Sequence, residues 1–240
     1  MDPINALEAI YDFFDQFLKG TPLACKKGCS ICCTTNVSMT TLEAQHIIAS
    51  GLLNDDLISR IKDAASRPHF VPSTTINTSA AMCLSENEMP EESSPITFDP
   101  CPLLTSQGLC PIYEARPFSC RAMSSETLCT QGGEAYMAPF LVTVNLALYQ
   151  ILEHIDQAGW YGNMLDVLTL VLDDEHEDRG KTAAAMKGKV KTNRPLPCFI
   201  VPPDEVMRFK SFMRRLSKKQ IGGSGETVGH LLPDDWKILT

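Results

Sequence analysis

No stretch of this chain is apolar for long enough to cross a bilayer. The best candidate, Met137 to Leu152, is interrupted by Pro139, Thr143, Asn145 and Gln150 and reads as a buried helix. A basic start followed by an apolar run is also missing, since the chain begins Met1-Asp2-Pro3-Ile4-Asn5, so no secretory signal is expected. Positive charge is scarce: 21 lysines and arginines stand against 29 acids, a formal net charge of −8. That balance argues against general nucleic-acid binding, because a phosphate backbone is repelled overall. No internal repeat is visible, and no phosphate-cradling glycine loop follows a strand. The closest approach, Gly223-Ser224-Gly225-Glu226-Thr227-Val228-Gly229, has the wrong spacing and reads as a flexible turn. No His–Asp or Ser–His arrangement lies close enough in sequence to suggest catalysis. What remains is an expected cytoplasmic protein without membrane contact, with an ordinary globular composition of 44% apolar and 21% charged residues.

Cysteine is what the chain has in excess. Of ten, four fall within nine positions, as Cys25-Lys26-Lys27-Gly28-Cys29-Ser30-Ile31-Cys32-Cys33, and a sparser set follows at Cys101, Cys110 and Cys120. In a reducing compartment, clustered thiols more often hold metals or do redox work than form structural disulfides. The two sets are expected to meet around a metal ion or cluster. Cys29 and Cys32 have the spacing of a tight turn that grips one ion, and Cys25 adds a ligand one turn earlier. Adjacent side chains such as Cys32 and Cys33 diverge in most backbone conformations, so both bind only in an unusual loop or around more than one metal atom. Prolines after Cys101 and Cys110 hold those residues extended. Lys26, Lys27, Arg116 and Arg121 are placed to offset thiolate charge and to donate to the sulfurs. Cys129 and Cys198 read as buried small residues or free thiols, and Cys83 stands alone.

The remainder reads as a mainly α, single helical domain with irregular Cys-rich loops joined by a metal or iron–sulfur site. Asp2-Pro3 starts a first helix of about four turns whose apolar stripe is expected to cover the cysteine loop. Thr40 to Glu43 is a capping box opening a helix to Ser50, and a second helix over 54–66 completes a hairpin. Pro68 to Pro95 reads as a long loop, with short strands near Phe70-Val71 and Ile96-Thr97-Phe98. Helices over 136–156 and 162–172, the first opened by Gly132-Gly133, are expected to form the core hairpin. A last amphipathic helix runs from Pro202 to Ser217. His46 reads as a packing residue, the acidic run Asp173 to Asp178 as a solvated helix end, and 179–195 as a mobile segment. This gives a Cys-rich metal-binding region at 1–130, a helical bracing region of the same domain at 131–220 and a flexible tail at 221–240.

The pattern Cys25-x3-Cys29-x2-Cys32-Cys33, then Cys101-Pro102-Leu103-Leu104, then Gly108-Leu109-Cys110-Pro111-Ile112-Tyr113-x2-Arg116-Pro117-x2-Cys120-Arg121 resembles the CxxCxxCC, or YkgJ-like, proteins. These are described as zinc- or iron-chelating domains, and a flagellin lysine N-methylase contains a related cysteine module. The resemblance implies that Cys25, Cys29, Cys32, Cys33, Cys101, Cys110 and Cys120 are the binding set, supported by Tyr113, Arg116 and Arg121. The first gap here is three residues where the family's name has two. Zinc and a [4Fe-4S] cluster both accept such loops, and seven thiols exceed the four that one zinc needs, which favours the cluster. Three functions stay open: a metal or cluster protein with an accessory or electron-transfer role and a protein partner, a protein-modifying enzyme of the methylase type, and a thiol redox sensor.

Overall fold

The computed structural model of the chain describes residues 2–92, 94, 96–129, 134–174, 186 and 188–240. Within them lie helices α1 (Pro3–Leu18), α2 (Thr41–Ala49), α3 (Asp55–Ala65), α4 (Ile76–Leu84), α5 (Phe118–Ala122), α6 (Pro139–Ile155), α7 (Met164–Asp174) and α8 (Val206–Leu216). The strands are short: β1 (Ser38–Thr40), β2 (Trp160–Asn163), β3 (Val190–Thr192), β4 (Phe199–Ile200) and β5 (Ile238–Leu239). The fold is therefore mainly helical. No helix among the described residues is long and apolar enough to cross a membrane.

Helix α1 begins where the sequence marks it. Asp2 accepts a hydrogen bond from the Ile4 N–H at 3.0 Å, and the proline behind it needs no partner. The stripe Leu7, Ile10 and Phe14 is buried, but it does not roof the cysteine loop. It enters a core shared with α6, α8 and Phe118 of α5. A second core gathers β1, α2, α3 and α7 with Leu103 and Ile112 from the cysteine-bearing loops. Burial of a side chain of this size stabilises by roughly 1.5–3 kcal/mol, so each core is a substantial term.

The expected hairpin of α6 and α7 does not form, because the two helices sit in different cores. Between them runs β2, the middle strand of an antiparallel sheet in the order β1-β2-β3. Trp160-Tyr161-Gly162-Asn163 is too short to show alternation, so Gly162 and Asn163 read as the start of the following helix. Gly162 lets β3 close in: a Cβ there would meet Val190 Cγ1 at 3.0 Å and the Lys189 carbonyl at 3.2 Å. Helices α2 and α3 likewise make no hairpin of their own, and each packs chiefly on α7.

Three loop expectations also change. Residues 76–84 form α4, capped by Thr75, whose hydroxyl accepts the Thr78 N–H at 3.1 Å. Its Asn77 is fully buried: the N–H donates to Glu153 at 2.7 Å, and Nδ2 donates to the carbonyls of Gln150 and Arg194. A polar sequence here reflects a buried polar network rather than a solvated loop. No strand forms at Phe70-Val71 or at Ile96-Thr97-Phe98, although Asn36 donates to the Thr97 carbonyl across the gap. The tail at 221–240 is built into the fold. Strand β5 lies parallel to β4, Trp236 packs edge-on against Phe199 at 5.4 Å, and Val228 is fully buried.

Of the acidic run, Asp173 pairs with Lys62 at 2.6 Å, and residues 175–178 lie outside the described residues. The expected mobile segment contains β3 and the buried Asn193, while 179–185 and 187 lie outside the described residues, as does Gly132-Gly133.

Asp156, at the end of α6, joins the two cores. It accepts hydrogen bonds from Thr41 Oγ1 at 2.7 Å, the Leu42 N–H at 3.0 Å and Asn193 Nδ2 at 3.0 Å. Burial outweighs these donors and pushes its carboxyl up to about 6. A raised value means that the folded state keeps the proton longer than the unfolded chain. The contribution of Asp156 is therefore complete below its unfolded value and is lost as pH rises through about 6. The stability difference between wild type and Asp156→Asn should shrink by about 2 kcal/mol from pH 4 to pH 7. Urea midpoints at a series of pH values test this, and a pH-independent difference would refute it.

Candidate metal centre

Two successive turns shape the first cysteine loop. The Cys29 N–H donates to the Lys26 carbonyl at 2.9 Å, and the Cys33 N–H donates to the Ser30 carbonyl at 3.0 Å. Gly28, with φ of +91°, supplies the left-handed residue of the first turn. The loop is pinned at both ends. Ala24 N–H donates to the Ser125 carbonyl at 2.8 Å, and on the far side Thr34 bridges Pro100 while the Cys101 N–H reaches the Cys33 carbonyl at 2.9 Å. Chain pairing alone thus brings the first set of cysteines beside the second.

The second set is held by the protein's interior. Leu103 and Ile112, each 1% exposed, anchor the segments behind Cys101 and Cys110 in the second core. Cys120 sits on α5, whose Phe118 is fully buried against Phe14 at 4.9 Å and Tyr149 at 4.8 Å. Glu43, the acid of the capping box, secures that helix. It accepts from the Thr40 N–H at 2.8 Å, the Tyr11 hydroxyl at 2.8 Å and the Phe118 N–H at 2.7 Å. One buried carboxylate therefore fixes α1, α2 and the start of α5 together. The sequence shows the capping box, but nothing in it indicates the link to Phe118.

The sulfurs are neighbours rather than a finished coordination shell. Among the described residues, no three His, Cys, Asp or Glu side chains already converge to hold an ion. Cys29 and Cys32 are exposed, and Cys25, Cys33, Cys101, Cys110 and Cys120 are half-buried. Burial pushes the Cys101 thiol up to about 11, and it raises Cys120 further, with the sulfurs of Cys101 and Cys110 adding to the effect. Arg60 pulls Cys101 down, and Arg116 acts the same way on Cys110 and Cys120. The adjacent thiols of Cys32 and Cys33 influence each other, lowering Cys32 to about 6 and raising Cys33.

This donor set fits a thiophilic metal. Buried thiols with raised values hold their protons until a cation replaces them, and the arginines nearby offset thiolate charge. Arg116 stacks over the Tyr113 ring at 3.8 Å and donates to the Tyr113 carbonyl at 2.7 Å, so these two residues brace the segment between Cys110 and Cys120. Arg121 is placed differently from expectation. Its guanidinium donates to Asp15 at 2.9 Å and to the carbonyls of Arg116 and Glu114, and it stacks over Tyr11 at 4.3 Å. It ties α5 to α1, because the residue after Cys120 points about 100° further round the helix, where it meets α1. Lys27 pairs with Glu114 at 3.5 Å at the rim.

Arg60 is a residue that sequence reasoning missed. It lies 41 positions before Cys101, on α3, and donates to the Leu104 carbonyl at 2.6 Å. With Arg67, Pro102, Thr105 and Gly108 it lines an open groove of about 600 Å³ beside Cys101. His46 is a packing residue as expected, edge-on to Tyr11 at 5.9 Å and 3.6 Å from Glu8. Cys198 is fully buried beneath α4, and Cys83 is exposed on that helix. No curated protein and no solved structure matches the chain. Residues 24–138, with nine of the ten cysteines, match the family model CxxCxxCC, described as a "putative zinc- or iron-chelating domain", so this stretch of the chain is similar to that family.

Proposed function

We propose that the protein is a metal-binding accessory or electron-transfer protein, with Cys25, Cys29, Cys32, Cys33, Cys101, Cys110 and Cys120 holding zinc or a [4Fe-4S] cluster. The observation that carries this reading is the meeting of Cys33, Cys101 and Cys120 from three separate segments at a core edge where arginines are the charged neighbours of the thiols. Tetrahedral soft-metal sites draw their thiolates from separate segments that the fold has brought near one another. Residues 1–130 supply the thiols and 131–220 brace them. Thiolates that bind metal must stay reduced, so the protein works in the cytoplasm.

Metal and acid-labile sulfide analysis of anaerobically purified full-length protein tests this. Zinc without sulfide assigns a thiolate zinc site, and about four irons with matching sulfide assign the cluster. Protein that contains neither and takes up neither would end the reading. A thiol sensor is the second reading, favoured by the exposed Cys32, whose thiol is lowered to about 6 beside Cys33. Mass spectrometry after mild peroxide would then show a two-hydrogen loss confined to that pair, and its absence would remove this alternative.

A further inference from the structure

Where α3, α7 and β3 border the second core, one histidine is buried with both ring nitrogens engaged. His69 is 6% exposed and lies in the segment that follows α3. Its Nδ1 is 2.7 Å from the Arg67 carbonyl, and its Nε2 is 2.7 Å from Asp166 Oδ2 on α7. Lys189, just before β3, donates to the other oxygen of Asp166 at 3.2 Å and to the Ala65 carbonyl at 3.4 Å. A carbonyl offers only lone pairs, so Nδ1 carries a proton. The Asp166 carboxylate, which also accepts from the Lys189 ammonium, makes Nε2 a second donor, and the ring is an imidazolium.

We propose that His69, Asp166 and Lys189 form a pH-sensitive latch, in which the charged imidazole fastens residues 66–71 to α7 and its deprotonation loosens them. The neutral ring has no comparable arrangement. Nδ1 must keep its proton for the Arg67 carbonyl, so a deprotonated Nε2 would turn its lone pair on the Asp166 oxygen across 2.7 Å. The other ties of the segment are single neutral bonds, from Asn163 Nδ2 to the Phe70 carbonyl at 2.9 Å and from the Val71 N–H to Ser94 Oγ at 2.8 Å. Further charges on these elements are engaged elsewhere: Arg67 pairs with Asp63 at 3.2 Å, Lys62 with Asp173 at 2.6 Å, and Lys191 donates to the Gly188 carbonyl at 3.1 Å. Among the described residues, Asp166 and Lys189 are thus the charged groups that face the ring. The hydrogen bond to Asp166 holds the imidazole above its ordinary 6.5, although burial and the Lys189 ammonium pull it down. The folded state therefore keeps the proton longer than the unfolded chain. The latch is complete below 6.5 and is lost as pH rises through the higher folded value. None of the cysteines takes part, so the latch is independent of the metal-binding reading.

Heteronuclear NMR of the full-length protein, with each imidazole assigned through its bonds, reads the proton directly. At pH 7 His69 should carry both ring protons, while His46 and His154, lowered by burial, are neutral. Lys189→Met removes a cation from a half-exposed position and should shift the His69 midpoint upward, which a purely packing role would not do. Hydrogen exchange at the Arg67 and Val71 amides, corrected for its intrinsic pH dependence, reads the loosening. Their protection in wild type should fall by up to about tenfold per pH unit between 6.5 and the His69 midpoint, then level off. No measurement requires replacing the buried histidine, so none depends on a variant that fails to fold. A singly protonated His69 at pH 6 would overturn the latch, as would amide protection that stays flat across the His69 titration. A midpoint unmoved in Lys189→Met would remove Lys189 from it.

Discussion

Cys120→Ser is expected to lower the unfolding free energy of metal-loaded protein by about 4 kcal/mol, the stabilisation that a ligand gives when its free concentration is a thousandfold above its Kd. Metal-free protein should lose far less. Cys120 stands on α5, held from both sides by Phe118 and by the Glu43 carboxylate, so the backbone around it does not depend on the sulfur. Denaturant titrations with and without chelator would separate the two terms, with elemental analysis reading the metal directly. Full metal content and an unchanged midpoint would show that the two cysteine motifs do not share a site. Cys83→Ser is the control: this exposed thiol on α4 lies away from the loops, and its loss should alter neither quantity. Metal affinity should also rise with pH, because Cys101, raised to about 11, and Cys120 must surrender protons to bind. That trend opposes the one at Asp156, whose contribution falls as pH rises.

Glu43→Ala should destabilise even the metal-free fold, by about 3–5 kcal/mol. Glu43 is 3% exposed and its carboxylate accepts from four buried donors, the Thr40 hydroxyl among them. An unsatisfied buried donor costs about 1–3 kcal/mol, with some recovered by relaxation. Tyr11→Phe removes one donor and leaves the carboxylate its other partners, so it should cost only about 1 kcal/mol. Because the Phe118 N–H opens α5, Glu43→Ala should also weaken metal binding, whereas a substitution at an exposed position of α3 should not. A loss below about 1 kcal/mol in chemical denaturation would mean that the carboxylate does not hold these elements together.

Local signals were read well from the residues themselves. Asp2-Pro3 starts α1, Thr40 and Glu43 make the capping box, and the apolar stripe of α8 faces the core, because each depends on neighbours within one helical turn. Short elements were not. Strand β2 has four residues, too few for a period, and α4 hides behind polar residues whose partners are 73 and 76 positions away. The tail looked mobile because its glycines are local, while the residues that fix it, Phe199 and Phe209, lie well before it in the chain.

At the candidate metal centre the division has the same origin. Cysteine count, spacing and the prolines that follow Cys101 and Cys110 determined the donor chemistry and the similarity to the CxxCxxCC model, since donor softness belongs to the residue and motif spacing to the chain. Which thiols stand together was decided by tertiary structure. The pairing of Cys33 with Cys101, the approach of Ser125 to Cys25 and the arrival of Arg60 beside Cys101 all join segments 41 to 100 positions apart. No local pattern encodes such contacts, because they exist only after both cores have closed around the loops.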